Sequence, residues 1–275
     1  MKCRLARIIV CFALLTGPSV AAAADLAAAF MNCTYLLQAP GVYGTAFVIG
    51  EPVAGEPKRV NLVMVTAAHL LESMPNETAV LHARVVRGQD WQKIPWPVAI
   101  RKRGRALWTR HPAVDLAVLR VSLPRGANLT VPSMDLVATD MDYRRFEIQP
   151  GASVMALGFP LAMGSGEGGF PVLRGGRVAG FPLTPIGREK TFLVDMPIFP
   201  GNSGGPVIMV RPLPPGPENV GAGVIQMLLG VVSREVLAAD DGTGAPGTTT
   251  GRSLSLARVV HAGFIPDLVR QLPPP

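Results

Sequence analysis

Cysteine is scarce in this chain of 275 residues, with three in all. Cys3 and Cys11 both fall near the start, so past that point only Cys33 remains. No disulfide can then form within the body of the chain, and packing must supply its stability. Long apolar runs are also missing: none reaches the roughly 18 consecutive apolar residues that a membrane-spanning helix needs. No His, Cys and Asp residues recur at metal-site intervals, and no glycine-rich loop leads from a strand into a helix as phosphate binding requires. No metal or cofactor is expected. A parallel sheet would need helical crossovers of a dozen or more residues between its strands, and these are absent. The charge excess is modest, with 26 Lys and Arg against 19 Asp and Glu for a formal net charge of +7. The one dense basic run, "RKRGR" (Arg101–Arg105), reads as a solvated loop, and no nucleic-acid partner is expected.

What is present begins with a leader. Lys2, Arg4 and Arg7 form a basic head, Ile8–Leu15 an apolar centre too short to span a bilayer, and Ala22-Ala23-Ala24 a small-residue cleavage site. That is the pattern of a secretory signal peptide over residues 1–24. The mature chain is expected to begin near Asp25, to insert in no membrane and to be periplasmic or secreted.

Beyond the leader the periodicity is that of strands. "VYGTAFVIG", "RVNLVMVTAAH", "AVLHARVV", "AVDLAVLRV", "ASVMALGFP", "TFLVDMPI", "GPVIMV" and "GVIQMLLGVVS" are short β-branched runs separated by Gly, Pro and polar clusters. This predicts an all-β, antiparallel protein. The final stretch, Ser255–Leu272, is the clearest helix candidate, interrupted by Pro266. Residues 211–223 and 238–253 read as long loops.

Three residues could act together. His69 ends an apolar strand in "VMVTAAHLL", Asp115 opens a buried run in "HPAVDLAVLRV", and Ser203 lies among glycines in "PGNSGGPV". A serine hydroxyl is a weak nucleophile that needs a neighbouring base, itself held in one tautomer by a third group. The glycines have a matching purpose: the turn Gly201-Asn202-Ser203 could point the N–H groups of Gly201 and Ser203 at a developing oxyanion.

The segments "TAAH", "DLAVL" and "GNSGGPV", in the order His, Asp, Ser, resemble the chymotrypsin-like (trypsin-like) serine peptidases. "GTAFVIG" is similar to that family's strand before the histidine. "LLGVVS" resembles its cleft strand, whose serine, here Ser233, touches the catalytic Asp. "VDMPIFPGNSGGP" is similar to the approach to the serine in bacterial high-temperature-requirement proteases. The resemblance implies two six-stranded antiparallel β-barrels with a C-terminal helix: residues 25–140 carrying His69 and Asp115, and 141–275 carrying Ser203. It further implies a serine endopeptidase acting on proteins or peptides, with Ser203 as nucleophile, His69 as base and Asp115 as orienting carboxylate. Ile198, Phe199, Ser233, Arg234 and Glu235 would line the substrate cleft, and Ile198 suggests an apolar pocket for the residue before the cut.

Two departures stand out. Asn202 replaces the Asp that digestive members pair with a newly cut N-terminus, and no "IVGG"-like activation sequence follows the leader. No zymogen step is expected. Two other readings compete. One is a catalytically inactive binding module on the same fold. The other is an esterase built on a G-x-S-x-G elbow with Asp240 or Asp241 and His261; it requires a helix after Ser203, where the sequence has a β-branched run and prolines.

Overall fold

In a computed structural model, residues 20–122, 124, 127, 130–213, 224–238 and 252–273 are described. The leader's basic head and apolar centre, together with most of the two expected long loops, lie outside the described residues.

The β-branched runs form two antiparallel bodies. In the first are β1 (Thr34–Ala39), β2 (Val42–Val53), β3 (Glu56–Thr66), β4 (Thr78–Arg87) and β5 (Asp90–Ala99). A separate small hairpin of β6 (Arg101–Lys102) and β7 (Arg105–Ala106) follows, then β8 (Thr109–Arg110) and β9 (Ala117–Val121). The sheet order is β5-β4-β1-β2-β3-β9-β8. Gly55 and Gly88 close two of its hairpins at φ +79° and +66°, left-handed conformations that side chains with a Cβ resist. The second body comprises β10 (Ser153–Gly158), β11 (Val172–Val178), β12 (Thr191–Asp195), β13 (Pro206–Pro212), β14 (Val224–Leu237) and β15 (Ser253–His261). These six close into a barrel in the order β10-β11-β12-β15-β14-β13. The expected count of six thus describes the C-terminal body, whereas the N-terminal sheet has seven strands with β5 and β8 at its edges.

Each body has its own apolar interior. A third cluster fills the seam between them, where Phe47 and Val65 of the first sheet meet Ile208 and Val231 of the barrel, all at most 1 % exposed. Removing such surfaces from water, at about 25 cal/mol per Å², fixes how the two bodies meet and therefore how their strand ends face each other.

One element is unforeseen in the sequence. Helix α1 (Val20–Cys33) runs across the Ala24–Asp25 junction. Leu26, Phe30 and Cys33 recur at one-turn spacing and are buried in the seam, the pattern of a helix docked by a single apolar stripe. Phe30 meets the edge of Phe47 at 5.9 Å between ring centroids. Cys33 is a free thiol whose burial pushes its pKa up to about 12, so it is chemically quiet. Among the described residues no helix is long and apolar enough to cross a membrane.

The C-terminal stretch corrects the sequence reading in part. Its first half is strand β15, not helix: Val259 is wholly buried and pairs with Phe192 of β12 and Val232 of β14. β-Branched side chains flanked by partners on both edges favour the pleated conformation. Only Ile265–Arg270 is α-helical, as α3, and Pro266 lies in its first turn, where a missing N–H costs nothing.

Candidate active site

His69 is carried by a strand-to-helix junction. β3 ends at Thr66, whose hydroxyl donates to the Thr45 carbonyl at 2.7 Å. Ala67 is extended, and α2 (Ala68–Ser73) then begins. Leu70 and Leu71 bury the inner face of this short helix. Its far end is held by Arg101, whose guanidinium donates to the carbonyls of Leu71 at 2.6 Å and Met74 at 2.7 Å. A cation is favourable against the unpaired carbonyls of a helix C-terminus. Arg101, read in the sequence as part of a solvated basic loop, is therefore a fixture of the helix that carries His69.

Asp115 lies one residue beyond buried Val114, in a turn drawn together by His111 Nδ1, which accepts from the N–H groups of Ala113 and Val114 at 3.1 Å each. Three donors converge on its carboxylate. His69 Nδ1 lies 2.7 Å from Oδ2, the His69 backbone N–H donates to Oδ1 at 2.9 Å, and the Ser233 hydroxyl donates to Oδ2 at 2.7 Å. Burial raises the carboxyl pKa, and these hydrogen bonds together outweigh it, so Asp115 sits below the ordinary carboxylate value. An ionised acceptor at Nδ1 fixes the imidazole with Nδ1 protonated and Nε2 free to accept.

The segment "PGNSGG" is two consecutive turns. In the first, the Asn202 N–H donates to the Phe199 carbonyl at 3.0 Å. Pro200 and Gly201 occupy its middle positions, Gly201 at φ +99°, as a type II turn demands. In the second, the Gly205 N–H donates to the Asn202 carbonyl at 3.0 Å. A Cβ on Gly201 would lie 2.1 Å from the Phe159 carbonyl oxygen, and one on Gly204 would lie 2.0 Å from that of Thr45. Main chain packs directly behind the serine, which is why a run of glycines surrounds it.

The turns are tied to both bodies. The Thr45 N–H donates to the Ser203 carbonyl at 2.8 Å and the Thr45 hydroxyl to the Gly201 carbonyl at 2.6 Å. The Gly204 N–H reaches the Val232 carbonyl at 2.7 Å. The Leu161 N–H donates to the Pro200 carbonyl at 2.7 Å, which orients the Pro200–Gly201 peptide and turns the Gly201 N–H the opposite way. Among the described residues neither the Gly201 nor the Ser203 N–H donates to any group. The Asn202 N–H is engaged by Phe199, and the Asn202 side chain is buried with Oδ1 accepting from the Phe199 N–H at 3.3 Å. Asn202 shapes the turn, leaving Gly201 and Ser203 as the open donors. Ser203 Oγ and His69 Nε2 share no hydrogen bond in this structure. The backbone nonetheless brings the serine turn against the His69 junction, since a Cβ on Gly204 would lie 3.1 Å from the Ala67 nitrogen.

The residues expected to line the cleft separate. Ile198 is 2 % exposed and belongs to the barrel interior, whereas Phe199 is 42 % exposed with the Arg174 guanidinium 5.0 Å above its ring. Ser233 directs its hydroxyl to Asp115. Arg234 is exposed, and Glu235 is half-buried and accepts from the Ser253 hydroxyl. Thr45 stands inside "GTAFVIG", but as an ordinary strand threonine it carries no sequence signal of its bridging role. The esterase reading loses its geometry, because strand β13 rather than a helix follows Ser203. His261 is buried and bonded to the Tyr143 hydroxyl at 3.1 Å, while Asp240 and Asp241 lie outside the described residues. Among the described residues no three His, Cys, Asp or Glu side chains gather as a metal site would require.

Comparison with known proteins places this architecture. Residues 44–211 match the trypsin-like peptidase domain, and the chain belongs to that family. It has the fold of a serine protease, and its substrates are proteins or peptides. The crystal structure of Rv3671c from M. tuberculosis H37Rv, a serine-to-alanine mutant in an inactive form, is 18% identical. The match covers 94% of this chain and 95% of that one at a TM-score of 0.45. A second structure, of the Rv3671c protease in an inactive form, is 19% identical over 94% of this chain and 99% of that chain, with the same TM-score of 0.45. No protein of curated function matches the chain.

Proposed function

We propose that this protein is a serine endopeptidase in which Ser203, His69 and Asp115 form the catalytic triad. The observation that carries the reading is the 2.7 Å contact between His69 Nδ1 and Asp115 Oδ2, beside a serine turn whose Gly201 and Ser203 N–H groups donate to nothing among the described residues. Ser203 Oγ attacks the scissile carbonyl carbon while His69 Nε2 takes its proton. The carbonyl oxygen becomes an oxyanion and accepts from the Gly201 and Ser203 N–H groups. His69 returns the proton to the leaving amine as the C–N bond breaks, giving an acyl-serine. Water then attacks the ester, His69 again taking and returning a proton, and the carboxylic acid departs with Ser203 restored. Asp115 stays ionised throughout, holding the imidazole and stabilising its charged form.

The residue before the cut is apolar in this reading, with Phe199 as an exposed apolar wall and Arg234 and Glu235 at the rim. The protein is exported through its leader, acts in the periplasm or outside the cell, and needs no second N-terminal cleavage. The test is hydrolysis of a peptide library by the purified protein and by Ser203→Ala. Cleavage after apolar residues that disappears in the variant supports the proposal. A strict preference for acidic residues overturns the pocket assignment, and equal cleavage by both proteins overturns the triad. Peptide capture without any cleavage makes the protein a binding module.

A further inference from the structure

A buried cation outside the triad connects α1 to the serine turn. Arg84, on β4, is 3 % exposed and has no carboxylate partner among the described residues. Its guanidinium instead collects carbonyl oxygens. Nη2 donates to those of Met31 and Asn32 at 3.0 Å and Thr34 at 2.6 Å, and Nη1 donates to that of Gly169 at 3.2 Å. The first two close the C-terminal end of α1, whose last carbonyls have no intrahelical partner, and the third belongs to the first residue of β1. The fourth belongs to residues 159–171, the connection between β10 and β11 in the other body. The guanidinium also lies between two aromatic rings, 4.8 Å from the Tyr35 centroid and 4.7 Å from that of Phe170. Burial lowers its pKa to about 10, which leaves it charged at neutral pH.

The same connection reaches the serine turn at its other end. Ser165 and Phe170 pair as a bridge, each donating its N–H to the other's carbonyl at 2.7 and 2.9 Å. Toward its start, Leu161 and Ala162 hold left-handed conformations at φ +51° and +59°. Non-glycine residues keep such angles only when the surroundings over-determine them. It is from this conformation that the Leu161 N–H reaches the Pro200 carbonyl. One end of the connection is thus gripped by Arg84 and the other orients the peptide that presents the Gly201 N–H.

We infer that Arg84 is a positioning residue for the oxyanion site: by holding Gly169 and Phe170 it keeps Leu161 on Pro200, and by closing α1 it makes that hold depend on the docked helix. The inference rests on the triad reading above. Arg84 touches neither substrate nor triad. A lysine could keep the charge, but its point-like ammonium cannot fork to four carbonyls or stack flat between two rings. Phe170→Ala acts from the opposite side, removing the stack within the connection while leaving α1 and the seam intact.

The test uses the full chain, a peptide anilide with an apolar residue before the cut, the matching peptide aldehyde and the matching alcohol. The aldehyde places a hemiacetal oxygen at the oxyanion position, and the alcohol does not. Arg84→Lys and Phe170→Ala are expected to lower kcat by about 10- to 100-fold, the scale of a misplaced reacting geometry, with KM within about twofold. Aldehyde affinity should fall in parallel with kcat while alcohol affinity holds, and the double variant should lose little beyond the worse single one. If Arg84→Lys does not fold, Phe170→Ala alone decides. Unchanged kcat in folded variants, or equal losses for aldehyde and alcohol, overturns the inference. A wild-type chain that cannot cleave the anilide or any library peptide defeats the triad reading instead.

Discussion

Replacing Gly201 with alanine tests the serine turn through a single methyl group. The new Cβ would stand 2.1 Å from the Phe159 carbonyl oxygen and 3.1 Å from the Tyr43 ring. The oxygen cannot retreat easily: Phe159 is buried, its N–H donates to the Thr45 hydroxyl at 3.1 Å, and its carbonyl accepts from the Ala162 N–H at 3.0 Å. The methyl also asks an L-residue to hold φ +99°, a further cost of about 1–3 kcal/mol. The least costly relief is rotation of the Pro200–Gly201 peptide, which breaks the Leu161 bond and swings the residue 201 N–H out of the site. Loss of one oxyanion donor costs about 10²–10³ in kcat, or about 3–4 kcal/mol of transition-state stabilisation. The substrate's ground state makes little use of that donor, so KM should stay within about threefold. The assay is steady-state hydrolysis of a peptide anilide, with circular dichroism and thermal melting to show that the variant folds. A folded Gly201→Ala protein with kcat within threefold of wild type refutes the reasoning, because the N–H would then have no part in the chemistry.

Three further outcomes follow from the same contacts. Asp115→Asn places an amide NH₂ where Oδ2 accepts from His69 Nδ1, which forces the imidazole into the tautomer that cannot take the serine proton; kcat should fall about 10⁴-fold with the fold intact by circular dichroism. His261 is wholly buried, its Nε2 has no partner among the described residues, and burial lowers its pKa from 6.5 to about 4. Between those values the unfolded chain binds a proton that the folded chain refuses, so stability falls as pH drops from 6.5 toward 4, by about 2 kcal/mol at pH 5. His261→Phe should therefore lose several degrees less in Tm than wild type between pH 7 and pH 5, and an equal loss in both would contradict this. Phe30→Ala empties a fully buried site against Phe47 and should cost about 3–5 kcal/mol in urea unfolding; a change below about 1 kcal/mol would mean that α1 is not docked in the seam.

Much of the site was legible in the sequence because its chemistry requires particular residues beside particular turns. A glycine run around one serine, an apolar strand ending in histidine, and an aspartate opening a buried strand each leave a local trace. Contacts made across the fold leave none. Thr45 reads as one more strand threonine, and Arg84 and Arg101 read as ordinary basic residues, although each closes the carbonyl end of a helix it is distant from in sequence. Helix α1 was hidden because its alanines merge with the leader's small-residue exit. β15 is not legible because "SLARVVHAG" suits either an amphipathic helix or a strand buried on both faces, and only its neighbours β12 and β14 decide between them.

The most direct measurement is to treat the purified protein with a fluorophosphonate and locate the adduct by peptide mass spectrometry. The account predicts a single phosphonyl group on Ser203, absent in Ser203→Ala and formed far more slowly in Asp115→Asn. An adduct on another residue, or a peptide-cleaving protein that takes up no phosphonyl group at Ser203, would contradict it.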